Sequence, residues 1–180
     1  MNLMGNEYGL VATEKAMNER IGHLPLDFAA ATAVSSVYRA ANAVRNHLTN
    51  TVLREHDLSW TGFTVLWSVW IFGGLETRHA ATSAAISKGT LTGVAKTLEA
   101  RGWLTRETDA RDRRQVHLKL TAQGLALMEE LYPRFNAAEA QVVARIDGAG
   151  LPELTGYLRT MVATVEDMGT AESRDPAERG

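Results

Sequence analysis

The chain has 180 residues, is 45% hydrophobic, contains four prolines and carries a formal net charge of −2. That composition fits an ordered, mostly helical protein with one shared core, and no apolar run approaches the length of a membrane span. Cysteine is absent, which removes disulfides, thiolate metal sites, cysteine nucleophiles and thiol-based redox sensing together.

The first residues show no basic start followed by an apolar stretch, so cytoplasmic residence is the expectation. Residues 1–24 have little periodicity and read as either a short helix or an arm. From Pro25, suited to a first helical turn, Val34, Val37, Tyr38, Ala41, Val44, Leu48 and Val52 recur at three and four residues. They predict one long amphipathic helix to about Glu55. Ser59 can cap the next helix, where Trp60, Phe63, Leu66, Trp67, Trp70 and Ile71 leave almost no polar face, and Gly73 and Gly74 end it. A short helix is expected over the alanine-rich stretch from Glu76 to Ile86.

Ser87 then has the character of an N-cap, with Leu91, Val94, Ala95 and Leu98 on one helical face and Gly102 as the stop. After Gly102 the period changes to two. Trp103 to Thr108 is rich in strand formers, and Val116, Leu118 and Leu120 alternate with His117, Lys119 and Thr121, predicting a hairpin whose tip is Asp109 to Arg114. Thr121 can cap a helix carrying Leu125, Met128, Leu131, Phe135, Val142 and Ile146, and a last helix with a clean apolar stripe runs from about Pro152 to Met168. Gly169 onward is polar and reads as a frayed tail.

Charge is unevenly spread. Between Ile86 and Lys119 eight basic residues stand against four acidic ones, leaving +4 there and −6 elsewhere. A basic block inside an acidic remainder suits a protein that meets phosphate at one place. The order helix, turn, helix, basic-tipped hairpin is that of a winged helix-turn-helix, in which a helix enters the major groove and the wing reaches the neighbouring minor groove. On the helix behind Ser87, the face opposite Leu91, Val94 and Leu98 carries Gly89, Thr92, Gly93 and Lys96, flanked by Lys88 and Thr90. These are side chains that hydrogen-bond to phosphates and base edges, or that let backbone approach closely. Arg111, Arg113 and Arg114 at the tip are candidates for minor-groove insertion. Each feature alone also has a plainer reading, as a solvated turn or an ordinary exposed helix face.

The run Ile-Ser-Lys-Gly-Thr-Leu-Thr-Gly from Ile86 to Gly93, then Leu98-Glu99-Ala100-Arg101-Gly102, Asp109-Ala-Arg-Asp-Arg-Arg to Arg114, and Leu120-Thr121 with Gly124, closely resembles the MarR regulators. The resemblance covers roughly Leu26 to Met168. It implies a mainly α fold with a small β-hairpin wing: a winged helix-turn-helix flanked by N- and C-terminal dimerisation helices. The corresponding division is an arm at 1–24, a dimerisation helix at 25–57, a DNA-binding domain at 58–121, C-terminal dimerisation helices at 122–168 and a tail at 169–180. The resemblance also implies a homodimer on palindromic double-stranded DNA, commonly a repressor released by a small ligand. Ser87, Lys88, Gly89, Thr90, Thr92 and Lys96 then face the groove, and Arg111, Arg113 and Arg114 form the wing contacts. The chain departs from the pattern at Arg78-His79-Ala80-Ala81, where the family usually has leucine and glutamate, so weaker packing is expected there.

The same resemblance implies an effector pocket between the long first helix, the tryptophan-rich helix and the DNA-binding lobe. Here it would draw on Tyr38, Arg45, Trp60, Phe63, Trp67 and Trp70, with aromatic walls and a guanidinium for an acidic group; tryptophans at helical spacing also read as plain core. A winged-helix protein-interaction module that never touches DNA is the alternative. No nucleophile elbow, phosphate loop, zinc-helix pair or paired-carboxylate motif is present, so no enzyme, metal or cofactor is expected.

Overall fold

The computed structural model of the chain describes residues 9–108 and 115–172. Helix α1 (Leu10–Ile21) precedes the long α2 (Phe28–Thr51), and Arg39 of α2 donates from Nη2 to Thr13 Oγ1 of α1 at 3.0 Å. Pro25 lies ahead of α2 rather than in its first turn. The cap is Asp27, whose carboxylate accepts from Ala30 N at 2.9 Å, because an extended residue with a side-chain oxygen satisfies an amide that proline cannot. The helix also stops earlier than Glu55, passing into a 3-10 turn (Leu53–His56) closed by Asp57 in the left-handed region at φ 49.

Ser59 caps α3 (Trp60–Ile71) by accepting from Gly62 N at 3.0 Å. Gly73 (φ 67) and Gly74 (φ 125) end it, the Gly74 amide returning to the Val69 carbonyl at 2.9 Å, a closure that favours residues without a Cβ. The helix is less enclosed than its composition implies. Phe63, Val65, Leu66 and Val69 are buried, but the tryptophans are half-buried and Ile71 is exposed.

Where one helix was expected from Glu76, the chain first forms a two-residue strand, β1 (Leu75–Glu76), and then the shorter helix α4 (Thr77–Ser83). Two residues give no period for a sequence to display, and β1 exists because β3 is there to pair with it. Ala80 and Ala81 are buried, and Ser83 Oγ lies 2.9 Å from Oγ of the buried Ser68 on α3. Where the family usually has leucine and glutamate, this chain thus seats two small buried residues and one hydroxyl pair between α4 and α3.

Helix α5 (Lys88–Ala100) is followed by Gly102 at φ 71 and by strands β2 (Leu104–Thr108) and β3 (Val116–Leu120). The antiparallel sheet has the order β1-β3-β2, with Leu75 opposite Leu118, Leu104 opposite Leu120 and Thr108 opposite Val116. The hairpin tip, Asp109 to Arg114, lies outside the described residues. Helix α6 (Ala122–Val143) ends short of Ile146, and α7 (Gly150–Glu172) begins before Pro152, with Asp147 Oδ1 accepting from Gly150 N at 2.7 Å. The chain divides into two compact units, Met1–Asn136 and Ala137–Gly180. In the first, Leu48, Leu53, Leu66, Leu104, Leu118, Met128 and Leu131 are fully buried, each such side chain contributing roughly 1.5–3 kcal/mol.

Thr121 closes the wing onto α6: its amide donates to the Trp103 carbonyl (3.1 Å), its hydroxyl to the Gly102 carbonyl (2.6 Å), and the same hydroxyl accepts from Gly124 N (2.9 Å). A Cβ on Gly124 would overlap the Trp103 carbonyl oxygen. Gly124→Ala is therefore expected to destabilise the fold by about 1–3 kcal/mol through backbone displacement. Urea unfolding checks this, and wild-type stability in the variant would contradict the close approach.

Candidate nucleic-acid interface

Helix α5 forms because Ser87 accepts from Thr90 N (3.1 Å) and shares a second hydrogen bond with Thr90 Oγ1 (2.8 Å). It faces the core because Leu91, Ala95 and Leu98 recur on one side and are buried. At this point the structure brings the sequence candidates together. Ser87, Lys88, Gly89, Thr90, Thr92 and Lys96 are all exposed. Gly89, Gly93 and Lys96 stand opposite the buried face, and no ion pair engages Lys88 or Lys96 among the described residues.

Both glycines have helical backbone, and a Cβ on Gly93 would meet nothing within 4 Å, while one on Gly89 would meet only Ser87 Oγ at 3.8 Å. A helix-interior glycine costs about 1 kcal/mol relative to alanine. Among the described residues no close contact requires a glycine at either position.

The wing is braced against this helix. Arg106 of β2 donates from Nη2 to the Thr92 carbonyl at 3.3 Å, and its Nε stands 3.3 Å from Glu99 Oε2. Nε is buried and has no aligned hydrogen bond, so the second contact is an ion pair. Beside the brace a cavity of about 570 Å³ is lined by Lys88 and Thr92 of α5, Arg78 of α4, and Arg106, Gln115 and Val116 of the wing. Sequence reading missed Arg106 because its partners are 7 and 14 residues away in chain and meet it only after the hairpin folds back. Arg111, Arg113 and Arg114 lie outside the described residues.

The six residues expected at an effector pocket lie on α2 and α3. Trp60, Phe63 and Trp70 join a ring cluster with α6: Phe63 stacks on Phe135 with centroids 4.2 Å apart, Trp60 lies 6.1 Å from Phe135, and Trp70 meets Tyr132 edge-on at 5.5 Å. Trp67 is half-buried, Tyr38 is 69% exposed on α2, and Arg45 donates to Asn42 Oδ1 at 2.7 Å on the same helix. Among the described residues no helix is long and apolar enough to cross a membrane, and no group of three acidic or histidine side chains is placed to hold a metal ion.

This arrangement, a capped exposed helix with a braced two-stranded wing beside it, agrees with the comparisons to known proteins. The MarR family model matches residues 58–116, the segment from the cap of α3 to the start of β3. An HTH-type transcriptional regulator of Bacillus subtilis, YwaE, is 37% identical over 134 residues, 74% of this chain and 78% of its own length. The chain belongs to the MarR family. Among solved structures, BpsR of Bordetella bronchiseptica, described with its regulation of DNA binding by 6-hydroxynicotinic acid, is 26% identical with a TM-score of 0.67 over 72% of this chain and 98% of its own. A mutant MarR of E. coli complexed with operator DNA has a TM-score of 0.67 at 19% identity over 81% of this chain and 96% of its own. As a MarR-family member the chain is a DNA-binding transcription regulator and not an enzyme.

For this MarR-family helix, Gly93→Ala is expected to raise stability by about 1 kcal/mol, since the methyl fills open space and improves helix propensity. It should weaken DNA binding at the same time. Thermal unfolding and DNA anisotropy measured on one preparation check this, and unchanged affinity would show that no close approach occurs at Gly93.

Proposed function

We propose that the protein binds palindromic duplex DNA as a homodimer, with α5 in the major groove and the wing arginines in the flanking minor groove, and that it acts as a repressor released by a small aromatic or acidic ligand. The observation that carries this is the exposed face of α5, where Lys88, Thr90, Thr92 and Lys96 surround bare backbone at Gly89 and Gly93. Phosphate contacts from Ser87, Lys88 and Thr90 set register, and Thr92 and Lys96 read base edges. The E. coli MarR mutant that shares this fold is complexed with operator DNA.

Dimer formation is supported by apolar side chains left uncovered. Tyr157, Val162, Val165 and Met168 of α7 are all more than half exposed, a stripe that a second copy would bury. The effector reading is supported by the 6-hydroxynicotinic acid named for BpsR and by the aromatic groups of α3. An aromatic carboxylate or phenol set against Trp67 and Tyr38, with Arg45 turned from Asn42 to its acid group, would favour a dimer whose two α5 helices no longer match successive grooves.

Replacing Arg113 and Arg114 together by alanine is expected to weaken operator binding while leaving the circular dichroism spectrum unchanged. Lys96→Ala is expected to cost about 1–3 kcal/mol if it reads a base, or to reduce the salt slope by about one if it meets phosphate. Wild-type affinity in the double variant would remove the wing from the interface, and no salt-dependent duplex binding at all would favour a protein-interaction module. Titration with aromatic carboxylates, including 6-hydroxynicotinic acid, is expected to change tryptophan fluorescence and lower operator affinity together. A ligand panel that moves neither signal would overturn the effector reading while leaving DNA binding intact.

A further inference from the structure

Arg101 stands where several parts of the DNA-reading lobe meet, and nothing above gives it a task. It is the first residue beyond α5. Its guanidinium reaches the turn joining α2 to α3, where Nη1 donates to the Asp57 carbonyl at 2.6 Å and Nη2 to the His56 carbonyl at 2.8 Å. The same group lies 3.9 Å from the ring centre of Trp103, a buried side chain that leads into the wing. Asp57 is left-handed, so no continuing helix supplies amides for those two carbonyls. The Asp57 carboxylate is fully exposed and 4.0 Å from Nη1, too weak a contact to account for the arrangement. A planar fork that bonds two carbonyls while stacking on an indole is within the reach of arginine and not of lysine. The turn is held from its other side as well, Arg134 of α6 donating to Glu55.

We propose that Arg101 is a positioning residue for DNA recognition: it fixes the angle between the end of α2 and α5, and through it the separation of the two α5 helices in the dimer, without touching DNA. This inference rests on the dimeric, palindrome-reading function proposed above. Half-site separation is a geometric property of such a dimer, so a looser joint relaxes spacing before it relaxes sequence.

The test begins by selecting an operator from a random duplex library with the wild-type protein. Wild type, Arg101→Lys and Arg101→Gln are then titrated across a salt series with that operator and with versions whose half-sites are moved by one or two base pairs. The wild type is expected to prefer the selected spacing by about tenfold or more. Both variants, checked by circular dichroism and scattering, are expected to lose most of that preference while keeping half-site sequence preference and salt slope. Plain loss of folded protein would lower binding to every duplex alike, and if the glutamine variant does not fold the lysine variant carries the test. A folded variant with the wild-type spacing preference overturns the inference, as does a salt slope reduced by about one, which would make Arg101 a phosphate contact. Failure of the wild type to select any duplex would overturn the DNA-reading proposal and this inference together, whereas an unchanged spacing preference in the variants leaves that proposal standing.

Discussion

Backbone meets backbone where Gly124 lies against the Trp103 carbonyl, and the rest of the reading lobe is arranged around that contact. Within four residues α5 ends, the chain reverses through Gly102 at φ 71, and β2 begins. The returning strand β3 ends at the same place, with Thr121 bonding both Gly102 and Trp103 before it caps α6. The end of α5, the base of the wing and the start of α6 therefore share one set of backbone groups. A side chain at Gly124 would separate them, and each carbonyl so released would lose a partner away from water.

From that junction the placement of α5 against the wing follows. The wing cannot pivot freely about its base, because Arg106 ties β2 to Thr92 and Glu99 of α5. Helix α5 cannot roll, because Leu91, Ala95 and Leu98 occupy the core and Arg101 grips the turn after α2. Helix α5 and strand β2 are thus held together by side-chain contacts, with bare backbone at Gly89 and Gly93 exposed on the outer side of the helix.

The aromatic residues show how packing and ligand recognition compete for the same side chains. Phe63 and Phe135 stack face to face, and Trp60, Tyr132 and Trp70 extend the cluster along the α3–α6 contact. Rings engaged in this way contribute to the packing of α3 against α6. Trp60, Trp67 and Trp70 are all half-buried and Tyr38 is exposed, so of the candidate rings only Phe63 is buried.

Local chemistry wrote much of this into the sequence. Ser59, Ser87 and Thr121 cap α3, α5 and α6 as their hydroxyls predict, Gly73, Gly74 and Gly102 turn the chain with positive φ, and the change of period after Gly102 marks the hairpin. The exposed face of α5 was legible for the same reason, since its buried side repeats at helical spacing. The strand at Leu75–Glu76 was not legible, because two residues carry no pattern and their partners, Leu118 and His117, come from a strand far along the chain. Nor was the shift of the α2 cap to Asp27, the burial of Ala80 and Ala81, or the ring cluster that Trp60, Phe63 and Trp70 form with α6. The tasks of Arg101 and Arg106 belong with these: a guanidinium finds its carbonyls only when distant segments have folded together, and no local propensity encodes which ones will be waiting.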